Sequence, residues 1–327
     1  MPVGGYVQSN PQIRVTVGGN PDLQPETSTS TNLGLDYRPS WADGLELSLD
    51  WWRIRLENTI RTDSASQVLH GCILNGSPAL CDRIRRYGSG DISTLNATNN
   101  NFGSSQVEGY DFALGYRLPE TSLGRFSLAW HSSYIDRQVH DLDGDGRFGE
   151  DIYEIPRIGE ALNGNEGGNT VGQYNAGRSG SNNWRLRSTL GTRWELGQFG
   201  ATWNVRYYSS QEEDCQAFED YGYGYLCSDT DRTRAVAVDA NGNGVWDGVG
   251  GGDTIINRAQ AQHHIGATTY HDVSVFWNAP WNARITIGAN NVFDKDPPIA
   301  RQAAANSFDP QYDVPGRFVY LRYSQTF

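Results

Sequence analysis

The chain has 327 residues, 37% of them hydrophobic, and a formal net charge of -12; its mean hydropathy is -0.58. No stretch approaches the roughly 20 apolar residues of a membrane-spanning helix, which excludes a helical membrane protein, and the acidic balance argues against a nucleic-acid partner, because phosphates are met by a basic surface. A β-barrel stays open, since barrel strands are apolar on one face only.

Strict alternation over windows of about ten residues, the length of a tilted barrel strand, predicts the elements. In chain order, the first apolar rows are Thr31, Leu33, Leu35, Tyr37 and then Leu45, Leu47, Leu49, Trp51. Tyr110, Phe112, Leu114, Tyr116 and Leu118 alternate with Asp111, Gly115 and Arg117, and Phe126, Leu128 and Trp130 follow. From Trp184 to Leu196 one face reads Trp184, Leu186, Ser188, Leu190, Thr192, Trp194, Leu196; the other carries Arg185, Arg187, Arg193 and Glu195. Next come Phe199 to Tyr207, Val273 to Trp277, Trp281 to Ala289, and a last segment with Val319, Leu321, Tyr323 and Phe327 on one face. That is nine strands, and a short one around Ile13 to Val17 would make ten.

A soluble β-sandwich would alternate as well. Two features favour the barrel. Aromatic residues recur at the ends of apolar rows, as interface girdles require. Short connections (38–44, 119–124, Gly197 and the Pro280 corner) also alternate with long ones (62–104, 136–183, 211–268 and 294–316). Short periplasmic turns opposite long extracellular loops are the outer-membrane layout. The expected fold is therefore all-β, an antiparallel transmembrane β-barrel segment with Phe327 at its periplasmic end.

Three stretches resemble one family. Asn20-Pro21-Asp22-Leu23-Gln24-Pro25-Glu26-Thr27 resembles the NPxLxPE(T/S) motif of TonB-dependent receptors, which stands before a late barrel strand. Gly288-Ala289-Asn290-Asn291-Val292-Phe293-Asp294 through Pro297 resembles their G-x-x-N-L-F-D-x-x-P segment, with Val292 in place of Leu. Gly316 to Phe327 resembles their terminal strand with its last-position Phe, an assembly signal. The resemblance implies 9–10 strands of a 22-stranded barrel, residues 1–327 forming its C-terminal part with the plug domain absent. No basic, apolar, small-residue leader opens the chain. The chain is thus expected to be a segment of a longer protein or a truncated gene product.

The long connections carry the candidate sites. Cys72 with Cys81, and Cys215 with Cys227, each fall inside one predicted extracellular loop, where an oxidising compartment favours local disulfides. Zinc is the alternative, but no CxxC or His spacing accompanies either pair. Asp141, Asp143 and Asp145, followed by Gly146, match the start of an EF-hand calcium loop, although Ile152 stands where the bidentate Glu belongs. Asp239, Asn241 and Asn243 form a second such run. The alternative for both is an acidic turn, since Asp, Asn and Gly are ordinary turn formers.

No catalytic or cofactor-binding constellation stands out. The six His residues are scattered, with only His263-His264 adjacent, and no Ser sits in a nucleophile elbow. Arg185, Arg187, Arg193, Arg206 and Arg284 are expected to face the lumen, for an anionic substrate or for acidic residues of a plug. The resemblance implies energy-coupled uptake of a scarce nutrient (siderophore, vitamin, glycan or peptide) across the outer membrane of a Gram-negative bacterium. The implied partners are outer-membrane lipid, the upstream strands and plug, TonB through that plug, and the barrel-assembly machinery. A passive pore or structural barrel, and a soluble calcium-binding β protein, are the competing readings.

Overall fold

The computed structural model describes residues 12–61, 65, 68–69, 72, 78–101, 103–141, 169–175, 181–238, 254–259, 261–301, 303 and 308–326. Nine of its strands form one sheet: β1 (Thr27–Tyr37), β2 (Leu45–Glu57), β3 (Ser104–Arg117), β4 (Arg125–Asp141), β5 (Leu186–Leu196), β6 (Phe199–Tyr208), β7 (Thr268–Ala279), β8 (Ala283–Asn290) and β9 (Phe318–Gln325). They lie side by side in sequence order, and every neighbouring pair is antiparallel.

The tight turns explain this meander. Leu196 pairs with Phe199 across a two-residue loop whose Gly197 has a φ of 56°. Hairpins of that length twist with their strands only when a loop residue adopts positive φ, which Gly does without strain. At the next short turn Asn282 takes the same role with a φ of 58°, between Ala279 and its partner Ala283.

Register sorts the side chains onto two faces. One continuous row runs Leu47, Leu114, Trp130, Leu190, Val205 across β2 to β6. A second runs Phe126, Trp194, Ala201, Val275, Ile287, Leu321 across β4 to β9. In a soluble sandwich such rows would be covered by a second sheet. Here Leu33, Leu35 and Leu321 are 72%, 66% and 70% exposed. Burying one such side chain is worth about 1.5–3 kcal/mol, so this face is matched to lipid.

The opposite face is polar and contoured. Gly109 pairs with Trp52, Gly200 with Phe276 and Gly288 with Tyr320. In each pair the ring occupies the space a Cβ on the glycine would need. Gly200→Ala is therefore expected to lower the stability of the assembled barrel by about 1–3 kcal/mol through overpacking. Denaturant unfolding in detergent micelles measures it, and Phe276→Ala in the same chain should recover part of the loss. An unchanged midpoint for Gly200→Ala would show that the ring is free to move aside.

The long connections fold into small sheets of their own. Arg14–Gly18, near the segment expected to supply a tenth strand, pairs in parallel with Ile92–Thr98, which also pairs with Ile84–Arg86. It belongs to this loop sheet and not to the nine-stranded one. Ile13, just before it, packs against the buried cluster of Val68, Leu80, Leu95 and Ala97 beside helix α1 (Pro78–Cys81), while Val15 and Val17 stay exposed. The Asn20–Thr27 motif, which leads into β1, is bonded to the short ladder of Ile60–Arg61 with Asn100–Asn101. The Gln24 N–H donates to Asn101 Oδ1 at 2.7 Å, Asn101 Nδ2 donates to the Gln24 carbonyl at 2.7 Å, and the Ile60 N–H donates to the Glu26 carboxylate at 2.7 Å.

Candidate functional site

The polar face and the loops at its long-connection end hold the candidate site. Arg206, on β6, is the central group. Its Nε and Nη2 donate to Asp272 of β7 at 2.8 and 3.1 Å, while Nη1 and Nη2 donate to Asp313 at 3.0 and 2.5 Å. A planar guanidinium can bridge two carboxylates in this way, whereas an ammonium cannot. Asp313 lies in the last long connection, so one side chain fastens that loop to the wall.

Aromatic packing supports the same junction. Trp184, Tyr270 and Tyr312 are buried together with Tyr208 against them, and Trp184 Nε1 donates to the Tyr312 hydroxyl at 2.9 Å. Burial pushes the Tyr312 phenol up to about 12, while the Trp184 indole bond works in the opposite direction. Tyr174 donates to Asp309 at 3.0 Å, and its own phenol is raised by burial and by that carboxylate. The Arg301 N–H donates to Glu213 at 2.5 Å.

The ends of this loop are held by the Gly288–Asp294 motif. Asn291 is buried with a φ of 48°, a conformation Asn tolerates. Its N–H donates to Asp272 at 2.8 Å, and its amide exchanges two bonds with the Lys295 backbone. Asp294 accepts the Arg317 N–H at 2.7 Å, so entry and exit of the loop meet.

The five arginines expected on the lumenal row part company. Arg187 lines a cleft of about 430 Å³ with Asp50, Asp111, His131, Ser133 and Tyr208, and has no carboxylate partner among the described residues. Arg193 pairs with Glu195 at 2.6 Å and stacks on Phe276 at 4.9 Å. Arg284 stacks on the same ring at 4.5 Å and donates to Asn278. Arg206 is committed to the bridge above. Arg185 departs from its row: its guanidinium lies 5.9 Å over Tyr134, whose neighbour Tyr110 belongs to the apolar face. Trp184 departs in the other direction, into the polar-side cluster. The strand begins at Leu186, so the period-2 rule does not reach these two residues.

The cysteines form two disulfides, Cys72 to Cys81 and Cys215 to Cys227, each within one long connection. Asp141 is the last residue of β4. Asp143, Asp145, Asp239, Asn241, Asn243 and Phe327 lie outside the described residues. Among the described residues no group of three or more His, Cys, Asp or Glu is placed to hold a metal ion. His263 and His264 are engaged separately. His264 meets Glu212 at 2.6 Å, and His263 bridges Ser228 at 2.9 Å and the Ile299 carbonyl at 3.2 Å. Burial lowers the His263 pKa, so its neutral ring donates from Nε2 and accepts at Nδ1. The Arg206 junction was not legible as a site, because Asp272 and Asp313 lie 66 and 107 residues away in sequence.

The profile of the TonB dependent receptor-like, beta-barrel family matches residues 2–292. The chain belongs to that family. Solved structures similar to this TonB-dependent receptor barrel include a mutant ferric enterobactin receptor from Pseudomonas aeruginosa, at 15% identity and a TM-score of 0.50, covering 96% of this chain and 33% of that one. The siderophore receptor PirA from Acinetobacter baumannii matches at 15% identity and 0.50, covering 95% and 33%. The FrpB iron transporter from Neisseria meningitidis matches at 11% and 0.50, covering 94% and 32%. At these identities the likeness is one of fold, and the chain spans about a third of each structure's length. No curated protein matches the sequence.

Proposed function

We propose that this chain forms the C-terminal wall and outer loops of an outer-membrane receptor that takes up a scarce nutrient with energy delivered through TonB. The observation that carries the reading is the two-faced sheet: an exposed apolar face for lipid, and a polar face bearing Arg187, Asp50, Asp111 and the Arg206 bridge. Closed on itself with further strands, such a wall encloses a polar lumen. The long loops, fastened to the wall through Arg206 and Tyr312, frame its outer mouth. Siderophore, vitamin, glycan and peptide are the substrate classes such a mouth would serve. Resident calcium in the loops, at Asp141, Asp143 and Asp145 or at Asp239, Asn241 and Asn243, is part of the proposal.

Topology is the direct test. Single cysteines introduced within 169–183 and 228–232, in intact cells making the complete receptor, should react with a membrane-impermeant maleimide. One introduced within 119–124 should react only after the outer membrane is opened. Labelling restricted to 119–124 in intact cells would invert the orientation and remove the basis of the proposal.

A further inference from the structure

The third long connection ends in a feature the barrel does not need. Between Gln211 and Asp231 the sequence carries seven carboxylates (Glu212, Glu213, Asp214, Glu219, Asp220, Asp229 and Asp231) and no Lys or Arg. At the centre stands Tyr221-Gly222-Tyr223-Gly224-Tyr225. Tyr221 and Tyr225 are 80% and 79% exposed and Tyr223 is 52% exposed. Large aromatic side chains left uncovered together mark an interaction surface more often than scattered ones do.

This tip is built, not loose. Helix α2 (Gln216–Asp220) and a 3-10 turn at Gly224–Leu226 flank it, and the Cys215–Cys227 disulfide closes its base. Buried Cys215 follows Gln211–Asp214, which pairs antiparallel with Gln262–Ile265, and its N–H donates to the Ala261 carbonyl at 2.9 Å. Across the tip, the Gly222 N–H donates to Glu219, that of Tyr223 to Phe218, that of Leu226 to Tyr223 and that of Cys227 to Gly224, all between 2.7 and 2.9 Å. The Tyr223 and Tyr225 rings sit edge to face at 6.3 Å. The Glu219 carboxylate lies against Gly224, where a Cβ would overlap it, and so stands between those two tyrosines in the chain.

We infer that this disulfide-closed tip, with Tyr221, Tyr223 and Tyr225 exposed on it and Glu219 against Gly224, is a docking surface for a cationic polypeptide segment bearing Lys or Arg side chains. Ammonium and guanidinium groups are attracted to tyrosine faces and to carboxylates alike, whereas an anionic partner would be repelled by the charge of this stretch. A metal ion is the poorer occupant. Glu213 is engaged by the Arg301 N–H, Asp229 by the N–H groups of Asp231 and Arg232, and Glu212 by His264. Two basic side chains lie against this stretch, Arg301 donating to the Leu226 carbonyl and Arg232 to Gln262. Rigid tyrosines on a pre-ordered loop lose little conformational entropy on contact. The inference rests on the proposed topology only for placing the tip outside the cell.

The test uses the complete receptor in detergent and a fluorescein-labelled decapeptide of alternating Lys and Gly, followed by anisotropy. Binding is expected to weaken with added salt. It should weaken roughly tenfold in Tyr221→Ser/Tyr225→Ser and persist in Tyr221→Phe/Tyr225→Phe, which keeps both ring faces. These residues are exposed, so both variants should fold, and retained heat-modifiability confirms that they have. Equal affinity in the Ser variant would overturn the inference. So would tighter binding of a Glu-Gly decapeptide, or displacement by maltoheptaose, which would mark the tip as a site for neutral glycan. Repeating the measurement on intact cells separates the two readings: binding to purified receptor but not to cells upholds the tip and refutes the topology.

Discussion

Arg206→Ala should release the last long loop from the barrel wall. The Arg206 side chain is 25% exposed, and its partners Asp272 and Asp313 are 17% and 25% exposed. Removing the guanidinium leaves two neighbouring carboxylates, both largely out of water, without their shared counter-charge. Breaking such a pair costs about 2–4 kcal/mol once partial solvent access is allowed for. Asp272 also accepts the Asn291 N–H, so the disturbance passes directly into the loop's first turn. Amide hydrogen exchange on the assembled receptor should show protection at Asn291, Val292 and Lys295 falling by roughly thirty- to a thousand-fold. Arg206→Lys should fall between wild type and Ala, since an ammonium cannot hold both carboxylates side-on. Unchanged protection in Arg206→Ala would mean that Tyr312 and Trp184 hold the loop unaided.

The second large effect concerns closure. Among the described residues β1 and β9 each have one neighbour in the nine-stranded sheet. Each therefore presents a row of unpaired backbone N–H and C=O groups along its free edge. In hydrocarbon every such group costs several kcal/mol, which is why strands cross membranes only as closed barrels. These 327 residues expressed alone should consequently appear as aggregates or self-associated species, paired through their edges. They should not restore nutrient uptake. Supplying the remaining strands in the same chain should convert them to an inserted, heat-modifiable form. A monomeric, membrane-inserted, heat-modifiable product from this chain alone would refute the expectation and favour a small self-contained barrel.

Strand identity was legible because it depends on a local period. Val205 and Arg206 must point to opposite faces in any strand, and one apolar row against one charged row already states that the environment is two-sided. The same logic located the short turns, where Gly197 and Asn282 supply the positive φ that a tight hairpin requires. It failed at strand ends. Trp184 and Arg185 were placed by alternation, yet Leu186 is the first paired residue of β5, and beyond it Trp184 turned toward Tyr208 and Tyr312. Arg14–Gly18 shows the companion limit: a period reveals a strand but not its partner, which here was Ile92–Thr98 in a loop sheet.

The cysteine pairs could be matched from sequence because both partners lie within one connection, 9 and 12 residues apart. Three of the bonds that fasten the last loop join residues separated by 128, 135 and 107 positions, Trp184 to Tyr312, Tyr174 to Asp309 and Arg206 to Asp313. No local pattern encodes such pairings, because they exist only once the meander has brought β5, β6 and β7 side by side. The residues by themselves thus determined the strands, the two faces and the alternation of short and long connections. The tertiary structure alone decided which of the five arginines lines the cleft on the polar face and which one holds a loop. That choice depends on where distant carboxylates arrive, and distance in space is what a one-dimensional pattern leaves out.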